Sequence, residues 1–306
     1  MKPRLVTRKS WVLWSTVILW VLISEGLVYA QTLDEVKAQI VSEGLLWTAG
    51  ETSVSKMTEE QQRVLLGGLP TPLEEIDPAQ IWESPDFESL RELPASYDLR
   101  DLNLVSPIKD QANCGSCWAF SSIANLESLY LQEGGNASFS EQAMLDCSEG
   151  TCDGWYLNSA FDFLVEHGTC QAFAYPYTAV KESCKPYPVV TRLQSWQWIN
   201  PYSRATRMSN NKIKSWIYTY QRPVSSWMQV YRSFLYYEDG IYGRLRRERR
   251  SQGGHFVLIV GWGSSYGVDY WICKNSWGTE WGQDGFFFIE MNDSSIGTNA
   301  IGAEIE

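Results

Sequence analysis

The sequence of 306 residues predicts an α+β fold made of a helical half and a β-barrel-like half. Apolar residues recur at helical spacing through most of residues 117–167, and strand-like patterns dominate after Tyr187. Such segregation of helices and strands along the chain is typical of α+β proteins. We therefore expect two packed halves with a cleft along the seam between them.

Four helices and three strands can be placed within these halves. We expect helices from Cys117 onwards, near Ser140–Asp146, over Tyr156–Glu166 and around Asn210–Tyr220. The clearest strand patterns cover residues 255–262, 268–274 and 285–291.

The first 30 residues are typical of an export signal. Four basic residues precede the apolar run Trp11–Ile23, and Val28-Tyr29-Ala30 ends in a small residue suited to cleavage before Gln31. The run is about 13 residues long, whereas a membrane-spanning helix needs roughly 20. We expect a cleaved signal peptide over residues 1–30, with an uncleaved signal anchor as the alternative, and no stable membrane span elsewhere.

Residues 31–93 form a segment apart from the 213 residues that follow. Leu33–Ile40 and Glu59–Leu66 have helical apolar spacing. Pro70–Leu93 carries seven acidic residues and four prolines, which predicts an extended, cleavable linker. An ordinary N-terminal extension is the alternative interpretation.

The charge of the chain limits its partners. The formal net charge is −11, which argues against nucleic acid or an anionic membrane as a general partner. Arg244–Arg250 is a local exception, with five arginines in seven residues. This stretch is either a solvated loop or a loop that steers substrate or takes part in self-processing.

Cys117 is the strongest candidate for a reactive group. In the run QANCGSCWAF it directly precedes a predicted helix, whose unpaired N–H groups and dipole favour a thiolate. The expected result is a lowered pKa and a nucleophilic sulfur.

The chain has two histidines, and one of them is a candidate base. His167 ends an apolar helical stretch before Gly168, which is ordinary capping chemistry. His255 follows a glycine pair and opens a buried strand pattern; alone it would be a core histidine, but with Cys117 upstream it becomes a candidate base. In Lys274-Asn275-Ser276-Trp277-Gly278, Asn275 could orient the imidazole and Trp277 could shield it from water.

From about Leu93 onwards the chain resembles the papain-like cysteine peptidases. The resemblance rests on separated motifs in the expected order: LPASYD from Leu93, QANCGSCWAF, Ser140-Glu141-Gln142, Cys152-Asp153-Gly154, Tyr175-Pro176-Tyr177, Pro223-Val224-Ser225, the His255 strand and KNSWG. It implies a papain-like fold with the active site in the cleft. Cys117 would be the nucleophile, His255 the acid and base, Asn275 the residue that orients His255, and Gln111 the oxyanion-hole side chain.

The resemblance also implies an activity and a domain plan. The chain would be a cysteine endopeptidase zymogen that works through a thioester acyl-enzyme, without cofactor or metal. Residues 31–93 would be a propeptide that inhibits residues 94–306, and Trp47-Thr48-Ala49-Gly50 is similar to the short prosegments of cathepsin B-like enzymes. Protein or peptide substrates, a monomeric state and a secreted or lysosome-like acidic location are further expectations.

Six of the seven cysteines remain once Cys117 is set aside. Export to an oxidising environment favours disulfides, and the resemblance implies the pairs Cys114–Cys152 and Cys147–Cys184. Cys273 would be a small buried hydrophobe, and the state of Cys170 is left open.

Several positions depart from the family pattern. Trp155 after Gly154, Trp227 and Phe256 carry bulk where small residues are usual, and Ala112 replaces a usual glycine. These changes predict a cleft narrowed on its non-primed side, which holds the substrate residues before the scissile bond. Glu304 aligns with an acid that, in cathepsin B-like enzymes, admits arginine at the second of those residues.

Three other functions fit parts of the sequence. A catalytically weakened homologue could bind peptides or partners instead of cleaving them. Cys114 and Cys117 could form a redox pair, although Trp118 follows the second cysteine rather than preceding the first. A zinc site from Cys114, Cys117, Cys147 and Cys152 is conceivable, but the spacing is loose.

Overall fold

The structure is a computed structural model that describes residues 31–83 and 93–305. The predicted signal peptide and the last part of the acidic linker lie outside the described residues. Within the described ranges, no helix is long and apolar enough to cross a membrane.

The described chain begins with two short helix–strand units. Their elements are α1 (Leu33–Glu43), β1 (Leu46–Ala49), α2 (Glu59–Val64) and β2 (Gly68–Leu69). Thr32 and Glu35 form a capping box on α1, and Thr58 and Gln61 form one on α2, so each helix satisfies its first N–H groups. Both helices predicted for this segment are present.

The segment from Gln31 to Glu83 is built into the core of the protein. Val36 and Trp47 are buried, and the Trp47 indole nitrogen donates to the Gly243 carbonyl at 3.0 Å. The first part of the acidic linker is also ordered: Trp82 is buried against Trp216, with ring centroids 5.5 Å apart. The prediction of an extended linker is therefore wrong for residues 70–83, because apolar side chains among the acids anchor the chain.

The helical half is centred on one buried helix. After β3 (Tyr97–Asp98), the elements are α3 (Cys117–Gln132), α4 (Glu141–Cys147), β4 (Trp155–Tyr156) and α5 (Leu157–Glu166). Every residue of α3 from Cys117 to Leu129 is buried, since the helix has α4 and α5 on one side and the sheet on the other. The three helices predicted here are confirmed.

The second half is dominated by a large, mostly antiparallel sheet. The elements of this half are one helix and seven strands: β5 (Ser195–Asn200), α6 (Arg207–Tyr220), β6 (Val224–Val230), β7 (Tyr237–Tyr242), β8 (Gly253–Ser265), β9 (Val268–Lys274), β10 (Phe286–Glu290) and β11 (Thr298–Glu304). Among the described residues the strand order is β1-β7-β10-β9-β8-β6-β11-β5, with β3 also paired to β8. The predicted α+β class is confirmed, and the barrel-like half is an open sheet with β1 and β5 at its edges.

A buried charge cluster holds the two halves together near the seam. Lys109 donates to Glu127 at 2.6 Å and to Glu141 at 2.7 Å, so it bridges α3 and α4. The other Glu127 oxygen accepts from Ser106, which in turn accepts from Lys274 at the end of β9. Because Lys274 directly precedes Asn275, this cluster fixes the chain that carries a predicted site residue.

Replacement of Lys109 by methionine should destabilise the protein strongly. The change leaves Glu127 and Glu141 buried without their shared cation, and breaking a buried ion pair in this way costs about 3–5 kcal/mol. Urea denaturation of Lys109→Met should show that loss in the free energy of unfolding. Lys185→Met is the matched control, since it removes an exposed pair with Glu182; equal midpoints for the two variants would contradict the assigned role.

Candidate active site

Cys117 is the first residue of α3 and is fully buried. Burial raises the pKa of its thiol to about 12, although hydrogen bonds with the backbone of Phe256, Gly67 and Trp118 oppose this shift. The predicted lowering of the pKa is therefore wrong for the state with residues 31–83 in place. The loss of solvent raises the thiol pKa more than the helix N-terminus lowers it, because a segment of the chain covers the sulfur.

His255 lies in β8 and is held by Asn275. Its Nε2 is 2.7 Å from Asn275 Oδ1, and the Ser276 backbone N–H donates to the same oxygen at 2.8 Å. Since that oxygen can only accept, Nε2 carries the proton and Nδ1 is left as the basic nitrogen. Among the described residues, Nδ1 has no hydrogen-bond partner. The Trp277 ring lies 4.8 Å from the imidazole and shields it from water, as expected.

His255 is also uncharged in this state. Burial lowers its pKa to about 4, with smaller opposing effects from Asn275 and from the Leu65 backbone. The thiol and the imidazole are thus both neutral, because neither can be solvated while the cleft is filled.

Gln111 is positioned by the same loop that carries Asn275. Its side-chain oxygen accepts from Ser276 Oγ at 2.7 Å, and its backbone N–H donates to the Ser276 carbonyl at 2.9 Å. The amide nitrogen donates to the carbonyls of Cys114 and Leu65, at 2.7 and 3.0 Å. The side chain is therefore an oriented donor that already holds a backbone carbonyl.

The cleft is filled by the chain from Leu65 to Thr71. The Trp155 N–H donates to the Gly67 carbonyl at 3.2 Å, and the Trp227 indole donates to the Gly68 carbonyl at 2.9 Å. β2 then pairs in parallel with β4. Further along, the Thr71 N–H donates to Asn299 Oδ1 at 2.6 Å.

Glycine is required where this segment touches the cleft. A Cβ on Gly67 would overlap the Gly115 carbonyl oxygen, and a Cβ on Gly154 would overlap the Gly67 carbonyl oxygen. Gly154 also has a φ of +122°, which disfavours any other residue. The segment can therefore lie against the cleft only because neither the segment nor the cleft wall has a side chain at these contacts.

The structure brings most of the predicted substrate-binding residues together. Gly154, Trp155 and Trp227 line the segment in the cleft, and Trp277 covers His255. Phe256 contacts Cys117 through its backbone, while its side chain is buried in the core of the helical half.

Glu304 is not brought to this cleft. Thr298 pairs with Trp227 in the sheet. Glu304 lies six residues further along β11, which is roughly 20 Å from Thr298 at the usual rise of a strand. Its carboxylate is instead 3.7 Å from Arg222 and accepts from Ser195 at 3.3 Å. The expected role of Glu304 at the floor of a substrate pocket is therefore not supported.

Three residues with a part in this site are not indicated by the sequence motifs. Asn299 holds the covering segment, Ser276 orients Gln111, and Gly67 makes the closest approach to the cleft. The pair Gly67-Gly68 in an otherwise apolar stretch was the available signal, because adjacent glycines permit close backbone contact.

The disulfides implied by the resemblance are present. Cys114 pairs with Cys152, and Cys147 pairs with Cys184. Cys117, Cys170 and Cys273 are free and buried. These pairings are incompatible with a Cys114–Cys117 redox couple and with a zinc site built from the four cysteines.

Comparisons with known proteins identify the family. Residues 93–304 match the papain family of cysteine proteases. The chain is 33% identical to ananain of Ananas comosus over 257 residues, which cover 82% of this chain and 71% of that protein. It is 35% identical over 211 residues to the cathepsin L-like proteinase of Fasciola hepatica, covering 67% of this chain and 63% of the relative.

A solved structure agrees with these relatives. Digestive procathepsin L 3 from the larval midgut of Tenebrio molitor superposes with a TM-score of 0.73 at 29% identity, covering 89% of this chain and 88% of that one. The agreement extends beyond residues 93–304, so it includes part of the N-terminal segment. The chain belongs to the papain family of cysteine proteases.

Proposed function

We propose that this chain is the precursor of a cysteine endopeptidase, with residues 94–306 as the peptidase domain and residues 31–93 as its inhibitory propeptide. The observation that carries the proposal is the environment of the Leu65 carbonyl. This carbonyl accepts a hydrogen bond from the Gln111 side chain. Leu65 is two residues before Gly67, whose backbone lies against Cys117. An amide donor that holds a carbonyl beside a thiol is the arrangement that acyl transfer requires.

Each step of the reaction uses a group of this site. Cys117 Sγ transfers its proton to His255 Nδ1 and attacks the carbonyl carbon of the substrate. The Gln111 side-chain amide and the Cys117 backbone N–H stabilise the negative charge on the carbonyl oxygen. His255 then gives the proton to the departing amine, which leaves a thioester on Cys117.

Hydrolysis of the thioester returns the enzyme to its starting state. His255 Nδ1 takes a proton from water as that water attacks the thioester, and the proton then returns to the departing thiolate. Asn275 keeps Nε2 protonated throughout, so Nδ1 is the nitrogen that exchanges protons. Neither a metal nor a cofactor takes part in this scheme.

The propeptide would inhibit by covering the site and by keeping its groups neutral. It contributes a strand and core residues to the sheet, so it cannot leave without breaking packing at Trp47 and Trp82. Its Glu59 has a pKa lowered by the hydrogen bond and charge of Arg232. The stabilisation that this pair gives to the bound propeptide is fully present when the pH is above the ordinary pKa of a glutamate. It is lost as the pH falls through the lowered pKa of Glu59.

This pair therefore weakens only below the ordinary pKa of a glutamate. The family resemblance, rather than this pair, suggests a lysosome-like compartment or acidic secretions. The signal peptide over residues 1–30 and a monomeric state complete the proposal. A homologue that binds peptides without cleaving them is the alternative, and the observation in its favour is that the bulky Trp155 and Trp227 lie against the segment in the cleft.

Replacement of Cys117 by serine should abolish peptide hydrolysis and leave the fold intact. The purified precursor and its Cys117→Ser variant are incubated at pH 4 to 7, with a quenched peptide and with sequencing of new N-termini. The wild-type chain should gain activity and a terminus near Leu93, fastest in acid, whereas the variant should do neither. Hydrolysis by the variant above a contamination control, or none by the processed wild type, would count against the proposal.

Replacement of Gly67 by alanine should open the precursor. The new Cβ would overlap the Gly115 carbonyl oxygen, and forced overpacking of about 1–3 kcal/mol corresponds to a gain of roughly 5- to 160-fold in exposed thiol. Labelling of the precursor with iodoacetamide, mapped to Cys117 by peptide mass, measures this directly. Gly50→Ala is the control, because its Cβ would meet only the flexible carboxylate of Glu238; equally slow labelling of both variants would refute the inhibitory role of Gly67.

A further inference from the structure

A basic surface stands out on this acidic chain. Arg232 and the five arginines of Arg244–Arg250 lie close together, although the formal net charge of the protein is −11. The side chains of the five loop arginines are exposed. Among the described residues, none of the five guanidinium groups is within 4 Å of a carboxylate, although the backbone N–H groups of Arg244 and Arg246 donate to Asp293 and Glu43, at 3.1 and 3.0 Å.

The arginine loop is fixed beside Arg232. Glu248 accepts hydrogen bonds from the backbone and the hydroxyl of Ser233, at 2.7 and 2.6 Å. Arg244 donates to the Tyr231 hydroxyl at 2.9 Å and stacks over its ring. The loop therefore contacts both sequence neighbours of Arg232. Its last residue, Arg250, is three residues before the start of β8, the strand that carries His255.

Arg232 already binds a carboxylate in this structure. Its Nη1 is 2.9 Å from Glu59 Oε1 at the start of α2. The Arg232 Nε is buried and, within the described part of the chain, has no hydrogen-bond partner. Glu59 belongs to the segment that would be removed in maturation, so Arg232 would then lose its only carboxylate among the described residues.

The path of the covering segment places Arg232 on one side of the cleft. After Leu65, the segment runs along Trp155 and Trp227, which are expected on the non-primed side. Before Leu65 lies α2, and we take its axis to continue along the cleft, which assigns Glu59 and Arg232 to the primed side, where the substrate residues after the scissile bond bind. Glu59 is six residues before Leu65, or about 9 Å at the rise of a helix. That distance equals about three residues of an extended substrate.

We propose that, after maturation, Arg232 binds an acidic side chain about three residues beyond the scissile bond. The exposed arginines of the loop increase the rate at which acidic peptides reach the cleft. Glu59 thus occupies, in the precursor, the place of a substrate carboxylate. This inference rests on the proposed peptidase function and adds a substrate preference to it.

The test compares peptides that differ only in charge. The full chain is expressed as the precursor, processed in its linker, and given quenched peptides with amidated C-termini and identical non-primed residues. Each peptide carries Glu or its isostere Gln at the second, third or fourth primed position. The ratio of kcat/KM for Glu over Gln should be about three to ten at its best position, as expected for a partly exposed charge pair. Salt should reduce it.

Variants of Arg232 assign that preference. Arg232→Gln should bring the ratio at the best position down to the ratio at the other two positions, where only the general attraction of the loop remains, and Arg232→Lys, which keeps the charge but loses the planar fork, should give an intermediate ratio. Arg192→Gln is the matched control, since it removes the same charge from an exposed site on the helical half and should keep the wild-type ratio. A ratio that does not differ among the three positions in the wild type, or a preference for one position that persists in Arg232→Gln, would overturn the inference.

The design separates this inference from the proposed function. Cleavage of the Gln peptides reports on the peptidase function alone. If no peptide is cleaved, the affinities of the Glu and Gln peptides for the processed protein, alkylated at Cys117, still decide the inference. Tighter binding of the Glu peptide that is lost in Arg232→Gln supports it, and equal affinities refute it.

Discussion

The contact between the Gly67 backbone and the Cys117 thiol determines most of the properties of the cleft. It excludes water from the sulfur, and burial then keeps both the thiol and the neighbouring imidazole uncharged. The Gly67 backbone can come this close because Gly67, Gly115 and Gly154 have no side chains where the covering segment meets the cleft wall. The covering segment therefore acts on the chemistry of the site as well as on access to it.

The rest of the protein stabilises that contact from two directions. On one side, β1 joins the large sheet and Trp47 is buried in its core. On the other, Trp82 packs against Trp216 of α6. Glu59 adds an ion pair with Arg232 next to the cleft. Since the segment is held at several points, release requires loss of cooperative packing and of charge together.

The sequence predicted the site residues better than it predicted their state. Cys117, His255, Asn275 and Gln111 belong to short motifs, and the contacts that join the last three run through Asn275 and Ser276. The prediction of a lowered thiol pKa depends on the local helix N-terminus alone. It was wrong because a segment some 50 residues earlier in the chain covers the sulfur, and local patterns do not report such long-range packing. The role expected for Glu304 from the resemblance stays a prediction, since its carboxylate contacts Arg222 and Ser195 in this structure. The disulfides followed from family resemblance, whereas the ordered linker depends on packing of Trp82 that no local pattern indicates.

The most direct test of this account is the pH profile of Cys117 alkylation before and after removal of residues 31–93. A thiol whose pKa is raised reacts only as the pH rises through the raised value, since the thiolate is the reactive form. In the precursor, labelling should thus stay negligible at neutral pH and increase only towards a pKa of about 12. In the processed enzyme, a thiolate–imidazolium pair should make labelling fast well below the roughly 8.5 of a free thiol. Identical profiles for the two forms would contradict the claim that the covering segment controls the ionisation of the site.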